Sequence, residues 1–324
     1  MHVAYFVLLG AFWGLSPSIY KVLGPAGMPI SHIIVLSGIG VGAGLAVCGR
    51  LLMGHNAADR RLVFYGLGCG ALLNMPFALQ IMFAAHVPAT VLAIVFSTAP
   101  FCNYVLALAT GHDRLRRHRV LALMAGLASS VVLVVTRDGT GLGDFSAWTL
   151  AAFSCPVLFA VYNWFTAHRW PPHVNIYQAG MAESFASALF ALPFLLFLAP
   201  PWAMATVPGP SSYGLVAFLA VMWVAERIVY YTLIRDRGPV YTAQGIYVAA
   251  PAGVLYGMLF FRERPDIWLW VSLVLVLLAL WLNNSRPAAP RRPAMVAVRA
   301  GPERPDPAAQ GRPGAPEAEI SPSA

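Results

Sequence analysis

The sequence predicts an all-α integral membrane protein: ten transmembrane helices in two inverted five-helix repeats, with both termini cytoplasmic. Three observations predict it. Apolar runs of about 20 residues, the length that crosses a hydrocarbon core of about 30 Å as a helix, recur through the first 283 residues. Basic residues gather in alternate connections between those runs. The chain also superposes on itself at an offset of 151 residues without a gap.

Only 10% of the 324 residues are charged and 59% are hydrophobic. A soluble domain has about 25% charged residues, so an ordinary water-soluble enzyme is excluded. The first span, 3 to 22, follows no basic n-region and shows no small-residue cleavage pattern, so it reads as a membrane helix and not a cleaved signal peptide. The second and third, 30 to 49 and 62 to 84, carry GIGVGAG (38 to 44) and GLGCGA (66 to 71). These are not dinucleotide loops, because no strand precedes them; their small-residue spacing suits close helix packing. The fourth and fifth spans are 88 to 110 and 119 to 136, the sixth and seventh 147 to 167 and 174 to 199. The eighth, ninth and tenth are 213 to 234, 238 to 260 and 266 to 283. Residues 284 to 324, with nine prolines and ten alanines and no apolar period, read as a disordered cytoplasmic tail.

Orientation follows from the arginines. Arg50, Arg60, Arg61, Arg114, Arg116, Arg117, Arg119, Arg169, Arg235 and Arg237 fall in one set of connections. The opposite set holds Lys21, Arg137, Arg262 and Arg264, so the first set and both termini are expected on the cytoplasmic side. The net charge of +8 is thereby accounted for as a topology signal touching membrane lipid, with no nucleic-acid partner. The four cysteines lie in apolar segments without CxxC spacing, and the histidines form no metal-binding or Ser-His-Asp pattern. No metal, no cofactor and no catalytic residue is expected.

At the 151 offset, AAHVPATVLAIVFSTAPF (85 to 102) lies over DRGPVYTAQGIYVAAPAG (236 to 253), with Pro88 on Pro239, Ala99 on Ala250 and Pro100 on Pro251. A five-helix repeat is odd, so its copies must cross the membrane in opposite directions. That sets residues 1–136 and 147–283 as inverted halves, with a site expected near the midplane between them.

RGPVYTAQGIYVAAPAGVLYGMLFFRER (237 to 264) and, less completely, HVPATVLAIVFSTAPFCNYVLALATGHDR (86 to 114) each combine a small or Gly-Pro start, a proline-interrupted apolar helix and a short charged turn. With AFWG (11 to 14) and Lys21, this pattern resembles the EamA-type branch of the drug/metabolite transporter superfamily. His112 and Asp113 depart from the usual Glu-Arg turn in the first half. The resemblance covers the ten spans but not the tail. It implies a ten-helix carrier with a central cavity, exporting or exchanging small organic solutes such as amino acids.

Depth selects the candidate site. At about 1.5 Å per residue, Glu226 and Arg227 of the eighth span and Glu183 of the seventh lie near the bilayer centre. A charge there costs about 2.5–3.5 kcal/mol on insertion scales, so all three are expected to face protein or water. Arg227 is expected to contact an anionic group of the solute or the Glu183 carboxylate, with Trp223 and Tyr230 on the same helix shaping the cavity. It is expected to look away from its neighbour Glu226, since adjacent helical residues diverge by about 100°. The competing reading is a salt bridge that only fastens helices seven and eight. Asn74, Met75 and Pro76 occupy the places of Ala225, Glu226 and Arg227 at the 151 offset, so Asn74 joins the candidates, as do Asn103, Gln244 and Tyr247. Other mid-depth polar residues, Ser97, Thr98, Tyr162, Asn163 and Gln178, read more readily as interhelical glue. Pro76, Pro100 and Pro251 are expected to kink their helices.

The function expected is alternating access for a small organic solute across the cell inner membrane, with proton coupling through a glutamate left open. The alternative is a polytopic membrane enzyme on a lipid-linked substrate, which would need its chemistry at a membrane face. The sequence leaves a homodimer open.

Overall fold

The computed structural model describes residues 2–54, 59–84, 86, 95–138, 147–198, 208–262 and 267–284. The expected disordered tail therefore lies almost wholly outside the described residues, as do residues 88 to 94 of the fourth predicted span. Every regular element described is a helix, and no strand occurs among these residues.

The helices are α1 (His2–Leu23), α2 (Ile30–Met53), α3 (Arg60–Ala84), α4 (Ala99–Ala109), α5 (Arg117–Asp138), α6 (Ala147–Ala152), α7 (Ser154–His168), α8 (Ile176–Leu198), α9 (Pro210–Arg237), α10 (Pro239–Ala243), α11 (Gly245–Phe261) and α12 (Ile267–Asn284). Among the described residues, seven segments are long and apolar enough to cross a membrane. They are α1, α2, most of α3, Leu150–His168, α8, α9 and Pro239–Phe261. The remaining predicted spans coincide with the shorter apolar segment Val95–Ala109 and with α5 and α12.

Polarity is arranged inside out. Leu51, Phe197, Val221 and Leu259 are largely exposed, whereas Glu183 is fully buried and Glu226 nearly so. In water such a surface would forfeit the hydrophobic contribution of dozens of side chains; in hydrocarbon it costs nothing. The chain is a multi-pass membrane protein.

Helix ends follow local rules. α2 stops where Gly54 takes a left-handed conformation, φ 76°, and returns its N–H to the Arg50 carbonyl. α9 opens with Pro210 in its first turn and closes with Arg235 and Arg237 in its last, where cations suit the helix dipole. α8 begins with a reciprocal capping box. The Asn175 side chain accepts the Gln178 N–H at 2.9 Å, and the Gln178 side chain accepts the Asn175 N–H at 3.0 Å.

Among the described residues, the fourth and ninth predicted spans are each interrupted once, by bonds of the tighter i to i+3 type. Thr98 N–H bonds to Val95 and Phe101 N–H to Thr98; likewise Gln244 N–H bonds to Tyr241 and Tyr247 N–H to Gln244. Pro100, two residues past Thr98, accounts for the first interruption by withholding its N–H. The second has no proline within four residues. Pro251 and Pro76 both sit inside continuous helices, and the break lies at Gln244, directly before Gly245.

Packing is close where glycines replace side chains. α2 lies on α8, α3 lies on α8, and α9 lies on α2; α1 packs on α11 and α9, α7 on α4 and α3, α10 on α4, and α5 on α12. Gly66 and Gly70 of α3 meet Ala182 and Ala186 of α8, while Gly40 and Gly44 of α2 meet Ala220 and Val224 of α9. These are small-residue seams at a spacing of four, the packing the glycine runs suggested. A Cβ on Gly70 would come within 2.7 Å of both the Ala186 Cβ and the Ser187 backbone nitrogen, whereas one on Gly214 would meet nothing within 4 Å. Gly70→Ala should therefore cost about 1–3 kcal/mol through overpacking, and Gly214→Ala should be neutral or slightly stabilising. Thermal unfolding of the two purified variants in the same detergent checks this; equal midpoints would show that the α3–α8 seam is not tight.

Candidate functional site

The sequence supplies three charged residues away from the ends of the described helices, Glu183 on α8 and Glu226 and Arg227 on α9. The exposed stripe of α9 runs through Ala217, Phe218 and Val221. At 100° per residue, positions 226 and 227 fall on the opposite side of the helix, so both project into the bundle.

There they meet. Arg227 Nη1 lies 3.1 Å from Glu183 Oε1, and Arg227 Nε lies 3.4 Å from Glu226 Oε2. The guanidinium is thus shared by two carboxylates. This differs from the expectation that adjacent residues would look apart: the side chain is long enough for its Nε to stay beside the neighbour while its Nη1 reaches the next helix.

Tyrosines complete the Glu183 shell. Tyr162 on α7 donates its hydroxyl to Glu183 Oε1 at 2.8 Å and accepts from Arg227 Nη1 at 3.3 Å. Tyr231 donates to Glu183 Oε2. Glu226 is held differently, with Trp13 Nε1 of α1 donating to its Oε1 at 2.8 Å. Tyr230 flanks the guanidinium, its ring centroid 5.6 Å from Arg227 Cζ and stacked at 6.0 Å on Tyr162, while its hydroxyl donates to Asn163 Oδ1 at 2.7 Å. Four helices, α1, α7, α8 and α9, therefore converge on one buried ionic cluster. Such a cluster is stable in apolar surroundings only when its charges are paired and its oxygens accept hydrogen bonds.

Of the remaining candidates, Trp223 stands one turn before Glu226 and donates Nε1 to Ser16 Oγ at 3.2 Å, a second polar tie between α9 and α1. Asn74 bonds at 2.9–3.0 Å to the Gly70 carbonyl and to the carbonyl and hydroxyl of Ser187, bridging α3 and α8. Asn103 donates to its own helix, to the Ala99 carbonyl at 2.9 Å. Gln244 is buried at the α10–α11 break, and Tyr247 turns toward α5, its hydroxyl 3.4 Å from the Leu123 carbonyl. Glu183, Glu226, Arg227 and Tyr230 are brought into one cluster; Asn74, Asn103 and Tyr247 make their hydrogen bonds elsewhere.

Trp13 is the residue that sequence reasoning passed over. Its signal was present: a tryptophan in mid-helix at membrane depth carries one N–H donor that needs an acceptor, and only a few polar groups share that depth. Met75, matched to Glu226 at the 151 offset, is 53% exposed where Glu226 is 3% exposed, so those two positions do not share an environment.

No family model matches this sequence, and no curated protein sequence does. A solved protein crystal structure superposes on the chain with a TM-score of 0.72 at 16% identity, covering 88% of this chain and 96% of the other. The likeness is one of fold. It extends over nearly the whole of that chain, so the helical arrangement around the cluster is shared and not a local coincidence.

Glu183 at 0% exposure depends on a cation. Arg227→Met should lower stability by about 3–5 kcal/mol, the cost of leaving a buried charge without its partner. Adding Glu183→Gln to that variant should recover more than half of the loss. Thermal unfolding of wild type, both singles and the double reads the coupling; additive losses would mean the two side chains are not energetically linked.

Proposed function

We propose that the protein is a carrier of the inner membrane, moving a small organic solute by alternating access between two inverted five-helix halves with both termini cytoplasmic. The observation that carries the reading is the ionic cluster itself. Three charges are held inside an apolar bundle by side chains from four helices, and Arg227 keeps 18% of its side chain exposed on the interior side of α9. Ionisable groups at membrane depth mark solute or proton pathways by default.

The pattern of packing supports the inverted halves. Exchange α1 with α6–α7, α2 with α8, α3 with α9, α4 with α10–α11, and α5 with α12. The contact of α1 with α11 then becomes that of α7 with α4, α1 with α9 becomes α7 with α3, and α2 with α9 becomes α8 with α3. The α2–α8, α4–α10 and α5–α12 contacts map onto themselves. A pseudo-two-fold axis in the membrane plane produces this set of exchanges, and rocking of one half about it opens a midplane site to each side in turn. The interruptions at Thr98 and Gln244 fall on exchanged segments, which supplies both halves with a flexible point.

The mutational test keeps the shape of the site. Glu226→Gln preserves volume and an acceptor for Trp13 while removing one charge. In proteoliposomes preloaded with a mixed panel of labelled amino acids, amines, nucleosides and carboxylates, wild type should release a subset of solutes faster than protein-free vesicles. Glu226→Gln should slow that release about tenfold or more, at equal protein content. Release at the wild-type rate would remove Glu226 from the pathway, and no release from wild type would remove the carrier reading. Collapsing an imposed pH gradient in the same vesicles reads coupling: an unchanged rate means an uncoupled facilitator.

A further inference from the structure

The interior charges do not balance. Glu183 and Glu226 bring two negative charges and Arg227 one positive, and every other Asp, Glu, Lys and Arg in a described helix sits within about one turn of that helix's end. Buried net charge is costly, so the cluster is complete only when something positive joins it.

Hydrogen bonding ranks the carboxylate oxygens. Both oxygens of Glu183 are engaged at close range, by Arg227, Tyr162 and Tyr231. On Glu226, Oε1 accepts from Trp13, but among the described residues Oε2 has only the long approach of Arg227 Nε at 3.4 Å. The least engaged carboxylate oxygen of the cluster is therefore Glu226 Oε2. Two half-buried indoles belong to the same helix pair, Trp13 on α1, bonded to the other oxygen of Glu226, and Trp223 one turn earlier on α9, bonded to Ser16 of α1. Both lie on the sides of their helices opposite the exposed apolar stripes that run through Val7 and Leu8 on α1 and Phe218 and Val221 on α9. Each indole N–H is already occupied, by Glu226 and Ser16 respectively, which fixes the rings; Trp13 packs beside Gly245 and Trp223 against the apolar clusters of Leu219 and Ala220, and each keeps part of its surface exposed.

A carboxylate oxygen beside aromatic faces selects organic cations, through charge and through the ring quadrupole together. An anionic solute meets the opposite situation, since it would add a third negative charge to one guanidinium already held by Glu183 and Tyr162. Resting on the carrier reading above, we infer that the solute presents an ammonium or other organic cationic group to Glu226, with Trp13 and Trp223 enclosing it. Arg227 then serves as the fixed counter-ion of Glu183 and not as an anion receptor.

The test uses the full-length protein in detergent and two permanently charged probes of similar size, phenyltrimethylammonium and benzenesulfonate, at equal ionic strength. Phenyltrimethylammonium should raise the unfolding temperature in a saturable way, and benzenesulfonate should not. Glu226→Gln should weaken the apparent affinity for phenyltrimethylammonium about tenfold or more, whereas Glu226→Asp, which keeps the charge, should stay within a few-fold of wild type. If Glu226→Gln does not fold, Trp13→Phe, which keeps a ring but frees the carboxylate, takes its place, with a several-fold change expected. Stabilisation by benzenesulfonate, by both probes equally or by neither overturns the inference, as does unchanged affinity in the variants. The two readings fail separately. Solute release from proteoliposomes without phenyltrimethylammonium binding would leave the carrier standing and remove the cation site; Glu226-dependent binding without any release would remove the carrier and keep the site.

Discussion

One guanidinium shared between two carboxylates, in a bundle whose outer surface is hydrocarbon-like, is the constraint on which the rest of this structure depends. Arg227 can remain charged at that depth only if its partners arrive together: Glu183 from α8 at 3.1 Å, Glu226 from its own helix at 3.4 Å, and the Tyr162 hydroxyl from α7 at 3.3 Å. Each partner then has its own requirement. Glu183 needs the Tyr231 hydroxyl, Glu226 needs Trp13, and Tyr230 is held by Asn163. Four helices are thereby fixed in azimuth and in depth by one ion. In lipid no hydrophobic force between helices could do the same, because the tails outside are as apolar as the side chains inside.

Close approach of backbones makes the cluster reachable. The seams of α3 on α8 and of α2 on α9 run through Gly66, Gly70, Gly40 and Gly44, whose missing side chains admit the alanines opposite. Ala182 and Ala186 flank Glu183 in sequence, and Ala220 and Val224 precede Glu226. The small-residue seams and the ionic cluster thus occupy neighbouring faces of the same two helices. A larger residue in a seam would push α8 or α9 outward and lengthen the Arg227–Glu183 contact, so packing and electrostatics are coupled through helix spacing.

How much of this is legible in the sequence depends on the strength of the local signal. Helices of about 20 apolar residues are legible because the bilayer imposes both length and composition. Glu183, Glu226 and Arg227 are legible as a site because a charge inside such a run has few explanations. The ring of partners is less so. Trp13, Tyr162 and Tyr231 lie among many aromatics, and only the fold determines which N–H or O–H finds a carboxylate. The contact of Arg227 with Glu226 illustrates a second limit, since the 100° rule describes Cβ directions and a five-atom side chain escapes it. The break at Gln244 illustrates a third. Pro251 is the louder sequence signal, yet α11 runs continuously through it and the i to i+3 bonds lie at Gln244, beside Gly245.

The register between α3 and α9, exchanged in the proposed repeat, bears on why the charges exist. At an offset of 151 the counterpart of Glu226 is Met75, yet Met75 is exposed and Glu226 buried. Matching the seams instead pairs Gly66 with Ala220 and Gly70 with Val224, an offset of 154, and sets Leu72 and Leu73 opposite Glu226 and Arg227. Leu73 is buried, as its place in such a pairing requires. α3 thus carries leucine at these positions while packing a glycine seam of the same kind as the one on α9. Replacing a buried ion group by well-packed apolar side chains is often neutral or stabilising in a water-soluble core, but in lipid an apolar pair gives no directional tie, so the ion group fixes on α9 what leucine on α3 leaves to the glycine seam alone. The charges therefore fasten α9 to α8 and α1, and the binding role proposed for Glu226 rests on its Oε2, whose contact with Arg227 at 3.4 Å is the longest in the cluster.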